Sequence, residues 1–350
     1  MNKLINNIAI LTLSLGYLGT AQAANTVYVP VGSANEVLII DADLDKVVGS
    51  IGDVTNAHGL ASTPVGDLLV AGSMALAPEN QTIPEGMSED EHNAHHADSK
   101  SQNTQPANNV SYISIIDVNA KRVLKRIDVD GISHHSVITP DGRYALSTHT
   151  TTGGISVIDM QSKSLQRTIA TGPVPNYVLV SSDGKMAYVS NSGNGTVSEI
   201  AIDQWLVRRS FRVGTTPEHM VFSQDEKTLY VINVGDNSVT AISILDGTSI
   251  NTYSVGNGPH GIDISDDGKR LFVSNKKGNG LTLIDIDSGT SRARSLAPDP
   301  YHIKSIKGTG KLYISSRSQP WIWVVDQKSL EVISKIQIKG EGHQMALVKN

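Results

Sequence analysis

One phrase recurs along the chain and leaves it very few folds to adopt. In Gly258 to Asn275 it reads GPHGIDISDDGKRLFVSN. Pro259-His260 opens it, Gly261 to Ile264 runs as a strand, and Arg270 to Val273 returns as a second. Asp266-Asp267-Gly268-Lys269 makes the turn between them, because Asp and Gly tolerate the positive φ of a tight hairpin. Related phrases begin at Ala57, His134, Pro175, Pro217 and Tyr301, and a partial copy begins at Gly342. Taking His58, His135, Asn176, His219, His260, His302 and His343 as anchors, the intervals from His135 onward are 41, 43, 41, 42 and 41 residues. The first interval is 77, and an insertion of about 35 residues accounts for the excess over one period. A period of about 40 to 45 residues with four strands per unit is the signature of a propeller blade.

Counting anchors predicts an all-β, seven-bladed β-propeller. Asn25 to Pro30 is a strand with no hairpin partner before it, followed by strands at Glu36 to Ile40 and Lys46 to Ile51. The blade they begin lacks an innermost strand, and the C-terminal His343 to Lys349 is the segment left to supply it. Pairing of the two chain ends in one blade would close the ring and remove its free sheet edges. Each unit then ends in an outer hairpin that carries phrases such as Val157-Ile158-Asp159 and Leu283-Ile284-Asp285. Apolar and polar residues alternate throughout, and no long helical period interrupts them.

Two segments stand outside this pattern. Residues 1–23 read as a secretory signal peptide: Lys3 is the positive end, Ile8 to Gly16 the short apolar run, and Ala21-Gln22-Ala23 the small-residue cleavage site. The expected mature domain is therefore 24–350, exported and periplasmic, with no membrane insertion. The second segment, at about 74–108, is polar and without an apolar face, and reads as a mobile loop. It carries His92, His95 and His96 among acidic residues.

Composition narrows the chemistry. There is no cysteine, which removes thiolate metal sites and iron–sulfur clusters. The formal charge of −5 and the scarcity of aromatic residues argue against a nucleic-acid partner. No nucleophile elbow, P-loop, zinc-protease helix or dinucleotide fingerprint is present.

Histidine is placed with a pattern. His58, His134, His135, His219, His260, His302 and His343 all lie in the anchor phrases, where each blade's innermost strand lines the central channel. His149, at the end of a second strand, returns to the same face; the equivalent places hold Met74, Asn191, Asn233, Asn275 and Ser316. Neutral imidazoles converging on one axis suit zinc or copper, and thioethers from Met220 or Met345 would favour Cu(I). Glu218, Asp263 and Glu341 are candidates to fix imidazole tautomers. A repeated His can also be a duplicated fold residue that bonds only within its own blade, so a non-catalytic interaction propeller stays open.

The D-G-K-x-x-Y/F-V-x-N phrase, the following G-N/D-x-S/T-V/L and the I-D pair resemble the YVTN-type propeller repeats, a group related to the haem-d1 propellers of cytochrome-type nitrite reductases. Across nearly the whole mature chain, that resemblance implies the fold. Pairing a His-lined propeller site with a His-containing flexible segment is similar to periplasmic zinc-metallochaperone propellers, which implies a metal carrier that delivers to a solute-binding protein. In that reading His92, His95 and His96 capture the ion and the channel imidazoles hold it. The His134-His135 pair is similar to one in nitrous-oxide reductase, whose propeller holds a copper cluster, although this chain lacks that enzyme's cupredoxin domain. The haem-d1 relatives imply channel His residues serving a haem, with Arg317 in a place to meet its carboxylates. A haem- or copper-dependent redox enzyme is therefore the alternative.

Overall fold

The computed structural model describes residues 25–76 and 110–348. The segment read as a signal peptide, His92, His95 and His96 lie outside the described residues. Seven four-stranded antiparallel sheets are arranged as blades. Blade I is β4 (Ala57–Ser62), β5 (Leu68–Ser73), β6 (Val110–Asp117) and β7 (Arg122–Asp130). Blades II to VI repeat the plan, with innermost strands β8 (Ser133–Ile138), β12 (Pro175–Val180), β16 (Pro217–Phe222), β20 (Pro259–Ile264) and β24 (Pro300–Ile306).

Blade VII is built from both ends of the chain, as the unpaired first strand required. β28 (Ala346–Val348) pairs antiparallel with β1 (Thr26–Val31), Tyr28 opposite Ala346, and β2 (Glu36–Asp41) and β3 (Lys46–Ile51) complete the sheet. The closing strand is shorter than the sequence suggested. His343 and Gln344 do not join the ladder but are held by backbone bonds from His343 N to Pro30 O and from Gln344 N to His58 O.

The blades cohere because the inner three strands are apolar on both faces. In β1, Val27, Val29 and Val31 pack against blade VI through Tyr313, Ile322 and Val324. Tyr28, on the opposite face, packs against blade I through Leu60 and Leu69. Period-two alternation thus feeds two cores from one strand. Each of the seven junctions between neighbouring blades holds its own cluster of buried side chains. Fourth strands such as β27 (Val332–Gln337) are largely exposed. No helix among the described residues is long and apolar enough to cross a membrane.

Candidate metal centre

The innermost strands do not run straight into the channel. In blades I to VI the ladder skips at one place: Ala57 then Leu60, Ser133 then Ser136, Pro175 then Val178, Pro217 then Met220, Pro259 then Ile262, and Pro300 then Ile303 find partners, with a register shift between. Two residues are left over each time. Such a bulge re-aims side chains, and here it turns consecutive residues towards the axis instead of to alternate faces.

The pairing register sorts these residues into two levels, correcting the single ring expected from the sequence. The first bulge position, nearer the mouth where the strands begin, is filled by His58, His134, Asn176, Glu218, His260 and Tyr301. The second, one step deeper, is filled by Gly59, His135, Tyr177, His219, Gly261 and His302. Extending the pairing of Tyr28 with Ala346 puts His343 at the first level and Gln344 at the second. The sequence anchors mixed the levels, because in blades II, IV and VI the anchor His is the second residue of the bulge, as in His134-His135, Glu218-His219 and Tyr301-His302.

The seven imidazoles meet at the axis. At the first level His58 stacks on His134 at 4.4 Å between ring centroids and lies 4.2 Å from His343. His260 stacks on Tyr301 at 4.1 Å. At the second level His135 and His219 are 4.6 Å apart, with their Nε2 atoms 3.1 Å from each other, and His302 is 5.1 Å from His219. Contacts between levels complete the cluster, including His219 to His260 at 4.4 Å and His58 to His302 at 5.5 Å. Even the most exposed of the seven, His343, has only 8% of its surface accessible. Gly59 and Gly261 make the packing feasible: a Cβ on Gly261 would sit 2.6 Å from Tyr301 O, and one on Gly59 would strike His134 O.

Burial decides the charge of these rings. It holds His58 and His302 well below the usual imidazole range, with the neighbouring imidazoles adding to the effect. It takes His219 and His343 down to about 3, helped by His134 and by Arg317 respectively. A neutral imidazole keeps a lone pair for a metal. Two sets of three present ligand atoms within 4.8 Å of one another: His58, His135 and His302, and His219, His260 and His302. His302 belongs to both, and its Nε2 is buried without a hydrogen-bond partner among the described residues. Tetrahedral zinc with bonds near 2.0–2.1 Å needs nitrogens about 3.3 Å apart, a separation inside the 4.8 Å within which each triad's ligand atoms fall. The donor set, all imidazole, fits zinc or copper.

Ionisable groups surround the imidazoles. Glu218 Oε2 lies 3.0 Å from His260 Nδ1, the placement that fixes a ligating imidazole. Burial raises the Glu218 carboxyl to about 8, although Lys276 pulls it the other way. Burial also lowers the Lys276 ammonium. Lys276 and Arg317 each approach the Tyr301 ring at 5.6 Å, Arg317 is paired with Glu341, and Glu341 Oε2 is 3.9 Å from His343 Nε2. Asp263, the third acid suggested by the sequence, is engaged elsewhere: it accepts from Ser305 N at 2.8 Å and lies 3.7 Å from Lys304 Nζ.

His149 is buried but set apart from the stacked rings. Its Nε2 is 2.8 Å from Ser156 Oγ in its own blade, and burial lowers it to about 4. Met220 and Met345 line a cavity below the second level. Tyr177, Glu218's contact with His260, and Gln344 were not drawn into a single site by sequence reasoning. Gln344 accepts from Leu60 N at 3.0 Å and Ser136 N at 3.1 Å and donates to Ser136 O at 3.0 Å, tying the C-terminal segment to blades I and II. Aligning the repeats on the residue that precedes the bulge, commonly Pro, places Glu218 at the first level and Tyr177 and Gln344 at the second, though not their contacts across blades.

The model of the YNCE-like beta-propeller family matches residues 89–297. No curated protein matches the sequence. Several solved structures share the fold. The hydrazine synthase of Kuenenia stuttgartiensis aligns at 19% identity and a TM-score of 0.65, over 81% of this chain and 87% of that one. The dihydro-haem d1 dehydrogenase NirN, solved in complex with DHE, aligns at 14% identity and a TM-score of 0.65, over 93% of this chain and 66% of its own. The periplasmic gluconolactonase PpgL of Pseudomonas aeruginosa aligns at 17% identity and a TM-score of 0.69, over 93% and 99%. Such different proteins on one scaffold leave the activity to be argued from the site.

Proposed function

Given that the chain belongs to the YNCE-like β-propeller family, whose scaffold fixes no single activity, we propose that it is an exported metal carrier that holds Zn(II) or copper among the imidazoles of its channel. One observation carries this reading: the two buried imidazole triads that share His302. Neutral rings packed this closely, away from water, are a poor way to stabilise a channel and a good way to hold a late first-row ion. Glu218 beside His260 supplies the partner that orients a ligand. The N-terminal segment with Lys3, an apolar run and Ala21-Gln22-Ala23 fits export to the periplasm. His92, His95 and His96 serve capture, and the ion passes to a periplasmic receiver such as a solute-binding protein.

A second reading has its own support. Seven imidazoles exceed the four ligands that one tetrahedral ion takes. A redox enzyme with a multinuclear copper centre would use more of them. A haem group, suggested by the NirN likeness in fold, would draw on Arg317, which is already paired with Glu341.

Elemental analysis of the mature protein, purified without chelator or His-tag, separates these readings. Near-stoichiometric zinc or copper that is lost in His302→Ala supports the carrier. Several coppers per chain with visible colour favour the enzyme. A parent protein that neither contains zinc or copper nor takes them up removes both metal readings.

A further inference from the structure

Below the second level the channel opens into a cavity of about 110 Å³. His219 and His302, two of the three members of one triad, form part of its wall. Val221, Leu179 and Ile262 share the rest with Tyr177 and Gln344, and the Lys304 ammonium and the Asp263 carboxylate are paired at 3.7 Å along one side. Lys304 keeps 35% of its side chain exposed, so this side of the cavity communicates with solvent. The first-level mouth, by contrast, is crowded by Tyr301, Arg317 and Glu341.

We infer that an ion held by His219, His260 and His302 keeps a coordination position facing this cavity, and that the position takes a small anion of a few heavy atoms. This rests on the metal reading above and gives the second triad a ligand of its own. Three protein ligands with a fourth place open is the arrangement of metal sites that bind exogenous groups. The preference for an anion follows from the donor set. Three neutral imidazoles cancel none of a divalent ion's charge, and the nearby carboxylate of Asp263 is already engaged by Lys304 and by Ser305 N. The two imidazoles that face the cavity are themselves buried, and burial weakens the hydration that competes with an ion–anion contact. Cavity size sets the other limit: an inorganic triatomic anion fits, whereas a carboxylate bearing two phenyl rings does not.

Cobalt(II) is the probe, because its visible spectrum reports coordination number. Apo-protein is loaded with Co(II) and titrated with azide, then with diphenylacetate. The expected result is a saturable spectral change with azide, none with diphenylacetate, and azide affinity weakened at least about tenfold in Val221→Phe with Co(II) stoichiometry unchanged. Leu179→Phe repeats the test from another wall should the first variant fold poorly, and the size comparison in the parent needs no variant. A Co(II) spectrum indifferent to azide, or equal responses to both anions, overturns the inference while leaving the metal site standing. Failure to take up Co(II), zinc or copper at all removes the metal reading and this inference with it.

Discussion

Asn191, Asn233, Asn275 and His149 end the second strands of their blades, whereas the imidazoles at the bulges sit only a few residues away in space along the first strands. Both sets are buried and polar, and both recur from blade to blade. The first set bonds inward to its own blade at a fixed spacing of seven residues: His149 to Ser156 at 2.8 Å, Asn191 to Ser198 at 3.0 Å, Asn233 to Thr240 at 2.7 Å and Asn275 to Thr282 at 2.8 Å. The second set crosses blade boundaries. His135 faces His219, and the Nδ1 atoms of both His134 and His135 reach Asn176 O, at 3.2 and 2.9 Å. Repetition of a polar residue therefore has two meanings in a propeller. Where the partners lie within the blade, the residue maintains the fold; where they lie across the axis, it builds a site.

Acid should break the two sets apart most strongly. In the unfolded chain each His binds a proton near pH 6.5, whereas folded His219 and His343 do so only at about 3, and His58 and His302 also stay well below the usual range. Between those values the unfolded state binds more protons, so stability rises with pH and is lost as pH falls from about 6.5. Each such His contributes about 1.4 kcal/mol per pH unit. Glu218 acts in the opposite sense, since its carboxyl is raised to about 8: stability falls as pH rises from about 4.5 through 8. Glu341, likewise raised by burial, acts in the same sense as Glu218, so two carboxyls oppose at least four imidazoles. Urea unfolding of the metal-free protein at pH 7, 6 and 5 should show a steep loss that His219→Gln makes shallower. A flat profile would mean that the channel rings are not held neutral by burial.

Metal addition comes next in size. An ion present at about a thousand times its dissociation constant stabilises the folded state by about 4 kcal/mol. His302→Ala, which takes one ligand from both triads, should abolish that gain while the metal-free variant melts close to the parent. Thermal unfolding with and without buffered Zn(II) measures it. An undiminished shift would place the ion elsewhere.

Asn233→Ala should give the mirror-image result. It removes bonds to Ser238 Oγ at 3.1 Å, Thr240 Oγ1 at 2.7 Å and from Gly214 N at 2.9 Å. Leaving a buried donor without its partner costs about 1–3 kcal/mol. Chemical denaturation should show that loss, and zinc or copper uptake per folded molecule should not change. Reduced uptake would join the two rings into one functional unit.

Much of the fold was legible in the sequence because strand alternation, Asp-Gly turns and the period of the repeat all act locally. Ring closure was legible for the same reason: Thr26 to Val31 needed a partner, and Tyr28 opposite Ala346 supplies it. The site was legible in its members and not in its geometry. A bulge adds a residue without changing composition, and only strand pairing shows which of two adjacent residues is the extra one. The uneven intervals from His135 onward, 41, 43, 41, 42 and 41, already carried the sign. Measured from the paired residues Ser133, Pro175, Pro217 and Pro259 the spacing is a constant 42. Glu218 beside His260, Tyr301 stacked on His260 and Gln344 bridging to Ser136 depend on neighbouring blades and so leave no local trace.

His149→Asn should have the smallest effect, and it tests the distinction most directly. The sequence grouped His149 with the metal ligands because it ends a strand on the same face. Its Nε2 contact with Ser156 Oγ is the counterpart of the Nδ2 bonds that Asn191, Asn233 and Asn275 make seven residues on. Asn at 149 would restore the residue that three other blades use, with a donor of the same reach. Stability at pH 7 should stay within about 0.5 kcal/mol, the range of a substitution that keeps its bonds. Below pH 6.5 the variant should become the more stable of the two, since it removes a buried imidazole lowered to about 4. Metal content should be unchanged. The same replacement at His219 keeps a polar amide in the channel but removes a triad member, so uptake should fall there and not at 149. If His149→Asn also lost metal, position along the strand rather than hydrogen bonding within the blade would mark the ligands, and the site would extend to the second strands.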